Sequence, residues 1–260
     1  AALASLGTAL NQLGAHSVLM DRLDSVTFAG EPQLLEQVAC TLPLSEYKFD
    51  TYLAEKKPAY DRAVTVLADN SCQAALEEGQ VLADSVCTAR DLVNELADVL
   101  TPAELARRCQ ALGERWGFSV EVLDRSACED LGMGLFLAVA QGSVLEPRFI
   151  VMRWNGGKPE EPPIALVGKG ITYDSGGLAT KKGSMESMRF DMNGAAAVIG
   201  AMCAIARQKL PRNVVAAVAA CENMVDAHSY RNGDVLRSMS GQTVFARNTD
   251  AEGRLTMADA

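Results

Sequence analysis

Residues 164–220 read IALVGKGITYDSGGLATKKGSMESMRFDMNGAAAVIGAMCAIARQKLPRNVVAAVAA. The stretch opens with an apolar run, 164–167, and closes with another, 214–220, and both are typical of buried strands. Between them, residues 194–207 are small and apolar over a length that predicts a helix. Strands that are almost continuously apolar and alternate with helices predict α/β layers around a mixed, largely parallel sheet flanked by helices.

The same alternation extends toward the N-terminus of this stretch. Thr101-Pro102-Ala103-Glu104 is a capping box with proline at the first helical position, which predicts a helix from there to about Trp116. Further strands are predicted at 118–123 and 148–154, and residues 155–163 are typical of an exposed turn. We therefore assign residues 96–260 to one large α/β domain.

Residues 1–70 are predicted to form part of a smaller N-terminal α/β domain. A long helical pattern over about 71–96 follows, and we place the change of domain there, with residues 71–95 as the connecting helix. Within the N-terminal part, helices are predicted at 1–14 and 32–40, and strands at 16–20 and 63–68.

The composition argues against several classes of protein. Apolar residues make up 48% and charged residues 22%, and the net charge of −9 disfavours binding to nucleic acid or to an anionic membrane. No run of about 18 apolar residues predicts a membrane span, and the first residues lack the basic leader of a signal peptide. The seven cysteines lack C-x-x-C spacing, which predicts buried free thiols in a reducing compartment.

Three polar clusters occur where α/β proteins place their active sites. The first is GKGITYDSGG at 168–177, whose glycines would allow the backbone to approach a ligand closely. The alternative is a glycine-rich turn with a surface lysine. The segment lacks the residue order of a phosphate-binding P-loop. The second puts Asp191 before the helix at 194–207, where the helix dipole alone would favour a carboxylate. In the third, NTDAEGR at 248–254, an extended backbone would place residues 250, 252 and 254 on one face; a solvated loop is the alternative.

Together the clusters offer carboxylates and lysines but no histidine. Carboxylates held close together repel each other unless a cation lies between them, and an oxygen-rich set suits two divalent metals that activate water. His16 and His228 lie outside the clusters and are predicted to be structural, and no G-x-S-x-G elbow supports a serine triad. The candidate residues are Asp174, Asp191, Asp250 and Glu252, with Lys169 and Lys181 close by in sequence.

These segments resemble the signature segments of the cytosolic leucine aminopeptidase family. They are VGKGITYDSGG at 167–177, DMNGAAAV at 191–198 and NTDAEGRL at 248–255, in that order. The likeness is close over 160–260, looser over 70–160 and only compatible before residue 70. It implies a smaller N-terminal α/β domain, a larger catalytic metallopeptidase domain of which 96–260 is the first part, a hexamer and a cytoplasmic location.

The resemblance also implies which residues bind metal. Lys169, as a neutral amine, would bind one metal together with Asp174, Asp191 and Glu252. A second, more exchangeable metal would be bound by Asp174, Asp250 and Glu252, so that two of the carboxylates bridge. A lysine can bind a metal only when deprotonated, and burial beside a dication would lower its pKa.

The remaining implied roles concern catalysis and substrate. Lys181 would polarise the scissile carbonyl, Arg254 would hold a bicarbonate that acts as general base, and Met188 would line the pocket for the N-terminal side chain. The interval from Lys181 to Asp191 is one residue shorter than the family pattern, so Lys182 competes for the role of Lys181.

The function implied is that of a metal-dependent aminopeptidase. It would remove leucine and other, often apolar, residues from the N-terminus of peptides. Its cofactors would be two divalent ions, Zn²⁺, Mn²⁺ or Mg²⁺, together with bicarbonate. The alternative is a non-catalytic structural or nucleic-acid-binding member on the same scaffold.

Because the sequence lacks an initiating Met and stops inside a predicted helix, we expect sequence to be missing on both sides. We also expect the isolated 260-residue fragment to be inactive.

Overall fold

The structure is a computed structural model that describes residues 2–20, 32–56, 62–67 and 72–260. The chain forms two compact units, Ala1–Cys87 and Thr88–Ala260. The assignment of residues 1–70, 71–95 and 96–260 to domains stays a prediction. The predicted element ends at residues 1, 68 and 71 lie outside the described residues.

The first unit combines helices with a pair of parallel strands. Its helix α2 continues to Glu46, beyond the predicted end at residue 40, and contains Pro43. Arg62 joins the parts of the unit, since its Nε donates to the carbonyl of Ala15 and its guanidinium pairs with Glu46. The elements are α1 (Ala2–Leu13), β1 (Ser17–Met20), α2 (Pro32–Glu46), β2 (Ala63–Val66) and most of α3 (Gln73–Asn94), and β1 pairs with β2.

The second unit is built on a four-stranded sheet with helices on both faces. The strands are β3 (Ser119–Leu123), β4 (Arg148–Asn155), β5 (Ile164–Asp174) and β6 (Asn213–Asn223), in the spatial order β3-β4-β6-β5. A small hairpin pairs β7 (Val235–Arg237) with β8 (Thr243–Phe245). The helices are α4 (Pro102–Trp116), α5 (Arg125–Asp130), α6 (Gly134–Ala140), α7 (Asn193–Arg207) and α8 (Glu252–Asp259).

The predicted mixed α/β fold is confirmed, with less parallel pairing than expected in the four-stranded sheet. Strands β5 and β6 are parallel, whereas β4 pairs antiparallel with both β3 and β6. Parallel neighbours need a crossover connection, and α7 provides one between β5 and β6. Strand β4 thus runs opposite to the other three strands, and the sheet is therefore mixed.

Each face of this sheet has its own apolar core. On one face, α4 and α7 pack on β4 and β6 through residues that include Leu105, Ile150, Met152, Ile199 and Val218. On the other face, α6 and α8 pack on the sheet through residues that include Phe136, Phe149, Ile171, Cys221 and Leu255. The face with α8 is the one on which the polar clusters meet.

The expectation of buried thiols holds for most of the cysteines. Cys72, Cys109, Cys128, Cys203 and Cys221 are buried free thiols, whereas Cys40 and Cys87 are half-buried. Burial raises the pKa of Cys109 to about 12, so this thiol stays protonated at neutral pH. None of the helices in the described part of the chain has the length and hydropathy that a membrane span requires.

Candidate metal centre

The first polar cluster lies on strand β5 itself. The sequence predicted a strand that ends at residue 167, with a glycine-rich turn as one alternative for 168–177, but β5 continues to Asp174. Glycine in a strand often marks the close approach of another backbone. A Cβ on Gly168 would lie 2.8 Å from the Cα of Ala195 in α7, which explains why this strand carries glycine. The shorter prediction is therefore wrong for this element.

A β-bulge brings Lys169 and Asp174 to the same face of the sheet. These residues are five positions apart, so a regular strand would point them to opposite faces. Their partners on β6 are Ala219 and Asn223, which are four positions apart and share a face. The register of β5 shifts between Ile171 and Tyr173, and this extra residue re-aims Asp174 toward the side of Lys169.

The third cluster is helical, and the extended segment considered for it is wrong. The side chain of Asn248 accepts from the backbone N–H of Asp250 and starts a 3₁₀ helix, Thr249–Ala251, which leads directly into α8. Helical positions two apart point about 200° away from each other. Glu252 accordingly faces inward with 1% of its side chain exposed, whereas Arg254 is exposed and lines a separate hollow beside Arg247.

Lys169 connects two of the predicted ligands. Its Nζ lies 2.6 Å from Oε1 of Glu252 and 2.8 Å from Oδ2 of Asp191. Burial alone would lower the pKa of Lys169, but the two carboxylates outweigh burial and raise it. Burial is also the main reason that the pKa of Asp191 is raised. The neutral amine implied for Lys169 would therefore require a metal cation in place of its proton.

Lys181 connects the other two carboxylates. Its Nζ lies 2.7 Å from Oδ2 of Asp174 and also contacts Oδ1 of Asp250. Burial opposes the charge of Lys181, but these ion pairs prevail and raise its pKa. Lys182, the competing candidate, is exposed.

The carboxylates have the spacing and the unmet bonding capacity of a metal site. Asp174, Asp250 and Glu252 each offer an oxygen within 4.8 Å of the others. Within the described residues, Oε2 of Glu252 is buried without a hydrogen-bond donor, and the buried Oδ2 of Asp191 faces the ammonium of Lys169 at 2.8 Å. A buried carboxylate oxygen without a partner is costly, and a divalent cation would satisfy it. These residues therefore fit a divalent cation, and the binding of two such ions stays a prediction.

The remaining sequence candidates lie at the margin of this centre or outside it. Met188 is half-buried on a 3₁₀ helix, Met185–Phe190, whose last turn precedes Asp191. His228 is exposed and its Nδ1 lies 2.7 Å from Oδ1 of Asp226, and His16 is exposed in the first unit. Neither histidine is among the ligands that converge.

Sequence reasoning missed the residues that connect the end of β5 with the 3₁₀ helix Thr249–Ala251. Asn223 is buried, and its Nδ2 donates to Oδ1 of Asp174 at 2.7 Å and to the carbonyl of Thr249 at 3.0 Å. Thr249 is also buried, and its Oγ1 donates to the carbonyl of Gly176 at 2.8 Å. One signal was available, since Asn223 follows a predicted strand at the carboxyl end where α/β sites form.

Comparison of the sequence with known proteins gives one consistent result. The model of the cytosol aminopeptidase family, catalytic domain, matches residues 87–260. A probable cytosol aminopeptidase of Methylobacterium radiotolerans is 52% identical over 223 residues, which cover 83% of this chain and 44% of that protein. A probable cytosol aminopeptidase of Clostridium perfringens is 43% identical, with 98% and 54% covered. The chain thus spans about half the length of the curated relatives it matches.

Solved structures share the fold over nearly the whole chain. The bottromycin maturation enzyme BotP in complex with Mn has a TM-score of 0.86 at 34% identity, over 99% of this chain and 55% of that one. The cytosol aminopeptidase of Coxiella burnetii has a TM-score of 0.86 at 29% identity, over 99% and 53%. The described chain therefore has the architecture of about half of each of these proteins.

Proposed function

The chain belongs to the cytosol aminopeptidase family, and on that premise we propose that the whole protein is a metal-dependent aminopeptidase acting on peptides. We propose that it removes N-terminal leucine and other, often apolar, residues. One observation carries the proposal: Asp174, Asp191, Asp250 and Glu252 converge on two lysines, and a buried oxygen of Glu252 has no donor in the described chain.

Two divalent ions would be held by this cluster. Lys169, Asp174, Asp191 and Glu252 would hold one ion, and Asp174, Asp250 and Glu252 the other. The oxygen-rich donor set is compatible with Mn²⁺, Mg²⁺ or Zn²⁺, and Mn²⁺ is tested first because the related BotP was solved in complex with Mn. When bound, two such ions supply an activated water and polarise the scissile carbonyl.

Lys181 would stabilise the negative charge that develops on the scissile carbonyl oxygen. Its ammonium pairs with Asp174 and Asp250, and a cation bound by these carboxylates would free it to face the substrate. A preorganised positive group aimed at developing charge lowers the barrier more than it strengthens substrate binding. The buried position of Asp174 supports this role, since it draws the ammonium of Lys181 into the centre.

Further parts of the proposal rest on the family resemblance. Arg254 would hold a bicarbonate that acts as general base, and its exposed guanidinium forms no ion pair with the described residues. Met188 would contact the N-terminal side chain of the substrate. The whole protein would assemble as a hexamer and act in the cytoplasm.

The test uses the full-length protein and a pair of substrates. A leucine anilide with a free amine should be hydrolysed in the presence of Mn²⁺, and the same anilide with an acetylated amine should not. Glu252→Gln should abolish turnover, while Asp226→Asn, an exposed aspartate outside the cluster, should leave it unchanged. Equal hydrolysis of the acetylated substrate would refute the exopeptidase assignment. Metal binding without any turnover would favour the non-catalytic alternative.

A further inference from the structure

Asp174 reaches the cluster with its two carboxylate oxygens in different environments. Oδ1 accepts from the backbone N–H of Gly176 at 2.8 Å and from Nδ2 of Asn223 at 2.7 Å. Oδ2 forms an ion pair with the ammonium of Lys181, at 2.7 Å. Because two fixed N–H donors occupy one oxygen, the other oxygen is the one presented to a cation.

The side-chain amide of Asn223 can satisfy this arrangement in only one orientation. Its two neighbours, Oδ1 of Asp174 and the carbonyl of Thr249, are both acceptors, so the NH₂ group must face them. Each amide hydrogen then goes to one acceptor. The amide is buried, with Asn223 1% exposed, so water cannot easily replace it.

We propose that Asn223 is a positioning residue that makes Asp174 bind metal through Oδ2 alone and fixes the peptide before Asp250 at the same time. The inference rests on the proposed metal function and deepens it. Partners that orient a metal-binding carboxylate typically change metal affinity by about 10–100-fold when removed. A residue with a purely structural role would change stability without changing metal affinity in this way.

Tyr230 provides a matched control for the structural contribution. It is also buried, and its hydroxyl donates to the same carbonyl of Thr249, at 2.9 Å. Tyr230→Phe therefore removes a buried hydrogen bond to the acceptor that Asn223 also serves, but it leaves the bond of Asn223 to Asp174 intact. Comparing the two substitutions therefore separates the loss of a hydrogen bond to Thr249 from the loss of the bond that orients the carboxylate of Asp174.

The experiment measures Mn²⁺ binding to the full-length protein by calorimetry and counts the bound ions, alongside thermal unfolding. We expect Asn223→Ala to weaken Mn²⁺ binding about tenfold or more. Asn223→Leu keeps about the same side-chain volume without the donors or an added charge and should weaken binding at least as much. Tyr230→Phe should lower the unfolding temperature while its Mn²⁺ affinity stays within about twofold of the wild type.

Results of two kinds would overturn the inference. The first kind comes from the variants: wild-type affinity in Asn223→Ala, or equal weakening in Tyr230→Phe. The second needs no variant: a crystal structure of the wild type grown with Mn²⁺ in which Oδ1 of Asp174 contacts the ion. Failure of the wild-type protein itself to bind Mn²⁺ would refute the proposed function, which distinguishes that outcome from a failure confined to the role of Asn223.

Discussion

At the scale of single residues, the centre depends on space as well as on charge. Gly253 lies beside the Lys169 side chain, and a Cβ at this position would come within 2.6 Å of Cε and 2.9 Å of Nζ. Such distances force the lysine to move. Alanine itself is a better helix former than glycine by about 1 kcal/mol, so α8 is not weakened directly.

We therefore predict that Gly253→Ala lowers the Mn²⁺ affinity of the full-length protein with little loss of thermal stability. The reason is that Lys169 can no longer meet Asp191 and Glu252 together. Calorimetric titration and a melting curve measure the two effects. Gly183→Ala is the control, because a Cβ there meets nothing within 4 Å. Unchanged affinity in Gly253→Ala would show that Lys169 has more room than its contacts indicate.

The two adjacent lysines differ in their environment and should differ in their effect on catalysis. Lys181→Ala removes the ammonium between Asp174 and Asp250, and we predict that kcat falls by about 100-fold or more while KM changes little. Lys182→Ala alters an exposed side chain and should leave both constants near wild type. Steady-state kinetics on a leucine anilide decide between them. A larger loss in Lys182→Ala would assign the role to that lysine instead.

At the scale of secondary structure elements, the start of α4 shows how a local signal predicts structure. The capping box predicted this helix to run to Trp116, and α4 spans Pro102–Trp116. Oγ1 of Thr101 accepts from the backbone N–H of Glu104, as a capping box requires. The carboxylate of Glu104, however, accepts from Arg107 and Arg108. The hydrogen bond from Arg107, helped by Arg108, lowers the pKa of Glu104 to about 2.

This lowered pKa predicts a pH-dependent contribution of Glu104 to stability. Because the folded pKa is below the usual value of 4.5, the stabilisation is complete above about pH 4.5 and is lost as the pH falls toward 2. Glu104→Gln should therefore destabilise the protein by about 1 kcal/mol at pH 7. Melting curves from pH 7 to pH 3 should show the difference from wild type shrinking.

Glu121→Gln is the control for this pH series. Glu121 pairs with Arg153, but both side chains are about half exposed, at 53% and 45%. Exposed ion pairs contribute little, so this substitution should change the melting temperature much less than Glu104→Gln at every pH. A constant difference between Glu104→Gln and wild type across the series would contradict the assigned pKa.

The limits of two elements were not predicted correctly from sequence. Strand β5 continues through Gly168 because α7 approaches it closely, and that contact is visible only in the folded chain. Segment 248–254 becomes helical because Asn248 caps a 3₁₀ turn that leads into α8. Its alternating charges are equally compatible with an extended strand, so periodicity alone could not decide.

At the scale of the whole molecule, the sequence predicted a set of side chains that the structure brings together, but not what aligns them. The carboxylates and lysines were found from residue type and from motif order. Their convergence depends on the bulge that re-aims Asp174 and on the amide of Asn223, which donates to both Asp174 and Thr249. Both are consequences of register between β5 and β6, a long-range property that no local pattern encodes.

The same long-range assembly predicts how metal should affect the stability of the whole protein. The cluster draws on three stretches of the chain, since Lys169 and Asp174 lie on β5, Asp191 precedes α7, and Asp250 and Glu252 lie just before and at the start of α8. Unfolding separates these stretches and removes the site. A ligand that binds only the folded state stabilises it, by about 2.7 kcal/mol when its concentration is 100 times its Kd. The cluster holds four carboxylates against two ammonium groups, so its negative charge favours a cation.

We predict that treating the full-length protein with a chelator lowers its melting temperature, and that added Mn²⁺ restores it. The restored temperature should rise with the logarithm of free Mn²⁺ concentration once the site is more than half filled. Glu252→Gln alters a buried carboxylate proposed to bind both ions, and it should remove most of the dependence of the melting temperature on Mn²⁺. Glu121→Gln alters an exposed carboxylate and should keep that dependence. A melting temperature independent of Mn²⁺ in the wild type would mean that the lysines alone satisfy the carboxylates, and the centre would then be an ion-pair network.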